Sequence, residues 1–261
     1  MSLEVKPPFH LHTEANEKIL NLLNSVALGT NGAIYRHQNI NQRIKELHDP
    51  LHFTLERSNK VIGNITFCRR PFAWYVRYFA FDNALQTKTN VKSRKSDGAL
   101  KKRIATFFEA ILQEETNLLY AYIDPRNERS LWMSEQFGFK QMANIATQSF
   151  SRIRPRMQPE VHQVATNSNL KQWHQQIFGN HSLFFTKHTY NDAPWYYIGT
   201  IEDPIAMAKT YRANWVIEQL PGKSGKLLGK IIPYVPGVRK LIGTGEQQFT
   251  VIESVYCKPG K

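Results

Sequence analysis

Three runs rich in β-branched and aromatic residues succeed one another between Leu51 and Phe81, and they restrict the fold more than anything else in the chain. Leu51 to Arg57, Lys60 to Arg69 and Trp74 to Phe81 are separated by short turns, the tighter being Ser58-Asn59, so they predict an antiparallel three-stranded meander. After a polar stretch from Asn83 to Asp97, Leu100, Ile104, Phe107, Phe108, Ile111 and Leu112 mark the apolar face of a long helix, and Leu118 to Ile123 reads as a buried strand. Strand, helix and strand in that order make a β-α-β crossover, which sets a parallel pair beside the meander. Two helices precede it. Thr13 to Val26 places Ile19, Leu22, Leu23 and Val26 on one face behind a Thr cap, and Ile40, Ile44 and Leu47 repeat before Asp49-Pro50. Downstream, Asp124-Pro125 breaks the strand, Asn127 to Phe137 is a short helix ended by Gly138, and strand-like sequence runs on to Arg154. The order α-α-β-β-β-α-β-α-β predicts an α/β (α+β) fold on a mixed, mostly antiparallel sheet flanked by helices.

A ligand in such a fold belongs where the crossover leaves the sheet. The helix beginning near Gly98 carries its free amides and positive dipole end where bases cluster: Lys92, Arg94, Lys95, Lys101, Lys102 and Arg103 stand against one acid, Asp97. That arrangement suits a phosphate. The whole chain carries 34 Lys and Arg against 21 Asp and Glu, a net charge of +13 spread over both halves rather than gathered in a tail. Cys68 and Cys257 form no CxxC pair and have no His at ligand spacing, so neither a disulfide framework nor a metal site is expected, and a reducing cytoplasm fits best. The sequence shows no signal-like apolar run and no stretch of about 18 apolar residues, so membrane partners are not expected.

At Asn127-Glu128-Arg129-Ser130 followed by Phe137-Gly138-Phe139 the chain resembles the GNAT superfamily of acetyl-CoA-dependent N-acyltransferases. In that family a helix directly after a buried strand carries Asn, a small residue three positions on, and later Gly-Phe. Asn127, Ser130, Gly138 and Phe139 match at that spacing, and with the meander the likeness covers most of residues 10–154. The resemblance implies a transferase that takes an acetyl or close acyl group from acetyl-CoA, as co-substrate and without metal, to an amine on a small molecule or a protein. It places the pantetheine arm along Phe79, Ala80 and Phe81, the pyrophosphate near Lys95, Ser96, Gly98 and Ala99, a 3′-phosphate near Lys101 or Lys102, and Asn127 and Ser130 along the groove. Asp82 or Glu56 is the candidate base, and Ser134 stands where the family often has an acidic Tyr. The loop Lys95-Ser96-Asp97-Gly98-Ala99-Leu100 departs from the usual base-x-x-Gly-x-small pattern at Leu100.

The remainder, residues 155–261, reads as a second, smaller and partial GNAT-like lobe after a first domain of residues 1–154. Phe53 to Thr66 overlays Tyr196 to Lys209 as the same hairpin, and Tyr78 to Asn83 overlays Phe249 to Ser254. Such a lobe stops before its own coenzyme loop, and its last strand presents an edge that must be covered, so it is expected to dock on the first lobe. Gly222-Lys223-Ser224 lacks the upstream glycine of a phosphate loop, since Ile217 stands there. The run from Pro221 to Gly237 is basic and amphipathic but interrupted by prolines, which fits a surface connection between strands. Two other classes compete with the enzyme. One keeps the fold as a binding or structural module without chemistry; the other, a nucleic-acid binder driven by charge, has no recognisable motif behind it. The oligomeric state is left open.

Overall fold

The computed structural model describes residues 5–29, 33–82, 97–114, 118–145, 156, 158–164, 170–181, 194–222, 224–235 and 245–260. They form a mixed α/β structure whose antiparallel-rich sheets are flanked by helices. The meander is present as β3 (Pro50–Arg57), β4 (Lys60–Arg70) and β5 (Ala73–Phe81). An N-terminal strand, β1 (Phe9–His12), pairs antiparallel with β3, and β6 (Leu119–Tyr120) runs parallel to β5, giving the order β1-β3-β4-β5-β6.

Strand alternation divides this first sheet into two unlike faces. Phe9, Leu51, Phe53, Ile65, Phe67, Trp74 and Val76 point to one side, where helix α3 (Asp97–Glu114) covers them with Ile104, Phe107, Phe108 and Ile111. On the other side Val61 and Ala80 meet α1 (Glu17–Ser25) and α2 (Ile40–Lys45) through Ile19, Leu22, Leu23, Ile40 and Ile44. That second side also carries a buried polar row. His52, Thr54, Asn64 and Thr66 are each at most 1% exposed, with His52 Nδ1 2.9 Å from Thr66 Oγ1 and Asn64 Nδ2 donating to Thr66 Oγ1 at 3.0 Å.

Three local expectations change. The first helix starts at Glu17, because Asn16 rather than Thr13 caps it: its side chain accepts from Ile19 N at 3.0 Å. The strand expected from Leu118 to Ile123 is paired only at Leu119–Tyr120, and residues 139–145 are not strand at all. The remainder of that run, residues 146–155, lies outside the described residues.

The second sheet comprises β7 (Val161–Gln163), β8 (Trp195–Gly199), β9 (Pro204–Gln219) and β10 (Gly245–Cys257), all antiparallel neighbours in chain order. Helix α5 (Leu170–Phe178) meets it where the His174 ring stands edge-on to buried Trp195. β9 is long enough to serve two partners along one side. β8 takes its first half, and β2 (Ile34–His37), from the amino-terminal part of the chain, takes residues 215–219. Tyr35 of β2 stacks on Trp215 with ring centroids 4.3 Å apart, and Arg36 Nε donates to Glu218 at 2.5 Å. The two parts therefore share a sheet along β9, while among the described residues β10 pairs with β9 alone. Residues 225–231 form a short helix, α6, next to β9.

Candidate active site

β5 and β6 pair only at Trp74 with Leu119 and Tyr75 with Tyr120. Trp74 N donates to Leu118 O at 2.9 Å, and the pairing of Tyr75 with Tyr120 gives the Val76 amide Tyr120 O as its acceptor; beyond that point the two strands part and a gap opens. β5 then bulges. Tyr78 and Phe79 together oppose the single residue Ile65, Tyr78 takes φ +51°, and Asn64 Nδ2 fixes the bulge by donating to Tyr78 O at 3.1 Å. Ala80 resumes pairing with β4, which leaves the Phe79 amide facing the gap. That amide thus faces space rather than a neighbouring strand.

The gap opens into a cleft of about 480 Å³ that passes through the first sheet. On the α3 side its walls are Phe108, Phe137, Phe139 and α4 (Glu128–Gln136) with Ser130 and Ser134; on the opposite side they are Leu23, Val26, Tyr35, His37 and Ile40. Leu28 and Tyr35 exchange backbone hydrogen bonds of 2.7 and 3.0 Å, closing the loop that leads into β2. Gly29 turns the chain there at φ +91°, where a Cβ would lie 2.0 Å from Ala33 O, so a side chain cannot be accommodated without moving that wall. A wider recess of about 700 Å³ near Thr13, Lys45 and Arg69 has no such split strand pair along it.

Asn127 is the N-cap of α4, its Oδ1 accepting from Ser130 N at 3.1 Å. Asn127→Ala is expected to cost about 1 kcal/mol, read as a lowered denaturant midpoint with unchanged slope. A cost near zero would mean that the cap is not formed. The Ser134 hydroxyl donates to Leu131 O at 2.8 Å, so its proton is engaged within the helix.

The cleft collects five of the sequence-derived candidates: Phe79, Ala80, Asn127, Ser130 and Ser134. Phe81 lies beyond it over Gly63, whose Cβ would meet the ring at 2.8 Å. Both candidate bases sit elsewhere. Asp82 is held by Lys60 Nζ at 2.5 Å, and Glu56 lies 3.4 Å from Lys18 Nζ and 3.5 Å from His12 Nε2. Gly98 is exposed in the first turn of α3, Ala99 follows it, and Lys101 Nζ donates to Gln136 Oε1 at 2.8 Å. Lys95 and Ser96 lie outside the described residues.

Several groups on the β2 side escaped the sequence reading. Asp124 is a carboxylate lining the cleft, and Arg126 donates to it from N, Nε and Nη2 at 2.9, 3.0 and 2.8 Å, which holds its carboxyl below the usual range. Burial raises the Tyr75 and Tyr35 phenols, with the Asp124 charge adding to the effect at Tyr35. Burial, then the charges of Arg43 and Arg77, push His37 down to about 4. Its Nδ1 lies 2.8 Å from Arg43 Nη1, and because a guanidinium only donates, Nδ1 is the acceptor and Nε2 carries the proton. β2 itself, one isoleucine followed by Tyr, Arg and His, had no hydrophobic run to announce it. Among the described residues no group of three or more His, Cys, Asp or Glu could hold a metal ion, and no helix is long and apolar enough to cross a membrane.

No protein-family model matches the sequence, and comparison with curated proteins finds no match. Among solved structures, glucosamine-6-phosphate N-acetyltransferase from Arabidopsis thaliana aligns with 55% of this chain and 99% of its own, at 12% identity and a TM-score of 0.36. Saccharomyces cerevisiae N-myristoyltransferase, solved with bound myristoyl-CoA, aligns with 98% of this chain at 9% identity and a TM-score of 0.43. This chain spans 64% of the yeast protein's length.

Proposed function

We propose that the protein is a GNAT-like N-acyltransferase that moves an acetyl or close acyl group from acyl-CoA to an amine. One observation carries the reading: β5 and β6 part after Tyr75 and Tyr120, and the bulge that follows leaves the Phe79 amide facing an open cleft. A split strand pair suits an extended amide-bearing chain such as pantetheine, which can occupy the missing strand's place. The bound thioester supplies the activated acyl group. The Phe79 amide is then the donor for the carbonyl oxygen, whose charge grows during attack. Asn127 and Ser130 bound the thread from α4, and Gly98, Ala99 and Lys101 at the start of α3, with Lys95 and Ser96 before them, are the proposed phosphate contacts. For the amine's proton we assign Asp124 in place of Asp82 or Glu56, because it is the carboxylate that lines the cleft among the described residues. Ser134 is left as a wall, since its proton is given to Leu131 O.

Thermal unfolding with acetyl-CoA, a longer acyl-CoA and free CoA tests the reading. At about a hundred times its dissociation constant a native-state ligand adds roughly 2.7 kcal/mol, a rise of several degrees. Ser130→Trp is expected to weaken that binding at least tenfold, by filling the groove from a half-buried position that costs the fold little. No rise with any coenzyme at millimolar concentration would rule the enzyme out and favour the binding-module alternative.

A further inference from the structure

The β2 side of the cleft has an unbalanced set of charges. Its neighbouring arginines are neutralised: Arg36 is paired with Glu218, and Arg126 with Asp124. Glu253 is engaged by Lys209 at 2.9 Å. Arg77 and Arg43 differ from them. Arg77 lines the cleft, half-buried, with its guanidinium 4.8 Å above the Tyr78 ring, and among the described residues it has no carboxylate partner. Arg43, half-buried on α2, directs Nη1 at His37 Nδ1, and it too meets no carboxylate there.

One half-buried guanidinium, Arg77, thus lines the cleft with His37, Tyr75 and Tyr78, and a second, Arg43, stands on the neutral His37 imidazole. Burial and the charge of Glu253, itself paired with Lys209, raise the Tyr211 phenol against the opposing charges of Arg43 and Arg77, the same two cations that act on His37. Removing one partner of a buried ion pair is costly, and a fold that keeps one such cation in a cleft and a second directly behind its His37 wall is complementary to an anion. The donors are also suited to one. A guanidinium presents two parallel N–H groups to an oxyanion, and Arg43, by accepting nothing, fixes the His37 tautomer that bears an Nε2–H donor. The cleft's carboxylate, Asp124, is already held on three hydrogen bonds by Arg126 and cannot balance them.

We propose that Arg77, supported by Arg43 through His37, forms an anion subsite at the β2 end of the cleft, and that the amine acceptor bears a carboxylate or phosphate seated there. The second half of that statement rests on the acyltransfer reading; the subsite itself does not. Both ligand types share the required chemistry, an oxyanion with two acceptor oxygens for one guanidinium.

The test is thermal unfolding of the full chain at constant ionic strength, titrated separately with glutarate and with inorganic phosphate. The wild type, Arg77→Gln, Arg43→Gln and a control, Arg57→Gln at the exposed end of β3, are compared. The expected result is a saturable rise in Tm of several degrees with one of the two anions in the wild type and control, at least tenfold weaker in Arg77→Gln and reduced in Arg43→Gln. The anion that produces it identifies the acceptor's group. An equal saturable rise in Arg77→Gln, or none with either anion in the wild type, overturns the proposal. Without ligand, Arg77→Gln is expected to melt at or above the wild-type temperature, since it removes an unpaired charge. Should that variant not fold, Arg77→Lys, which keeps the charge and loses the fork, is expected to weaken binding about tenfold, and undiminished binding overturns the subsite. Acetyl-CoA is titrated in parallel. An Arg77-dependent anion rise without any coenzyme rise leaves the subsite standing and removes the acyltransferase; a coenzyme rise with Arg77-independent anion effects does the reverse.

Discussion

Phe67→Ala is expected to lower the free energy of unfolding by about 3–5 kcal/mol, measured as a shifted denaturant midpoint. Phe67 is 0% exposed at the centre of β4, and its ring meets those of Phe107 and Phe108 at 5.4 and 5.6 Å, both edge-to-face. Phe107 in turn stacks on Phe53 at 4.1 Å, and Phe53 on Phe9 at 5.0 Å, so one continuous aromatic stack joins β1, β3, β4 and α3. Truncation removes the buried ring and leaves a cavity that four elements would have to shift to close. Against a total stability of about 5–15 kcal/mol, this substitution brings the chain close to unfolding. Phe67→Leu, which refills most of the volume, should lose much less. A loss below about 1 kcal/mol for the alanine variant would mean that α3 does not pack on this face.

Acid should destabilise the protein well before its carboxylates titrate. Burial pushes His52 down to about 4, with the nearby His12 adding to the shift, and its Nε2 has no hydrogen-bond partner on which to place a second proton's charge. The unfolded chain binds that proton near pH 6.5 and the native chain only near 4, so the unfolded state carries more protons in between. Stability therefore falls as pH drops from 6.5 to about 4 and levels off below. The full displacement corresponds to roughly 3 kcal/mol for His52, with His37 acting in the same direction across the same window. Equilibrium unfolding at pH 7.5, 6, 5 and 4.5 reads this directly. His52→Gln should flatten the profile, and an unchanged slope in that variant would show that other groups drive the loss.

Where the apolar pattern was strong, the chain was readable in advance. The meander expected at Leu51–Arg57, Lys60–Arg69 and Trp74–Phe81 forms at Pro50–Arg57, Lys60–Arg70 and Ala73–Phe81, because β-branched and aromatic residues alternate there with little competition. The helix anticipated near Gly98 begins at Asp97 for the same reason, its Phe and Ile residues recurring at helical spacing. Legibility failed where long-range contacts decide. Leu118 to Ile123 is apolar enough for a full strand, yet only two residues pair, since the bulge at Tyr78 turns β5 away. Ile34–His37 is too short and polar to read as a strand and becomes one only because β9 supplies a partner about 180 residues later. The site divides similarly. Asn127 and Ser130 reach the cleft on local helix signals, whereas Tyr35, His37, Arg77 and Asp124 are brought together by tertiary structure.

The partnership of β2 with β9 also bears on how the chain can be made. A ribosome delivers residues 34–37 long before residues 215–219, so the first sheet can close around α3 while β2 has nothing to join. During that interval Leu28, Gly29 and Tyr35, which wall the cleft, lack their anchor. Late arrival of β9 should make this the slow step of maturation, since a contact of such large sequence separation must be found by search rather than by propagation from a neighbour. A nascent chain halted before Trp215 would then own a finished hydrophobic core and an unfinished cleft.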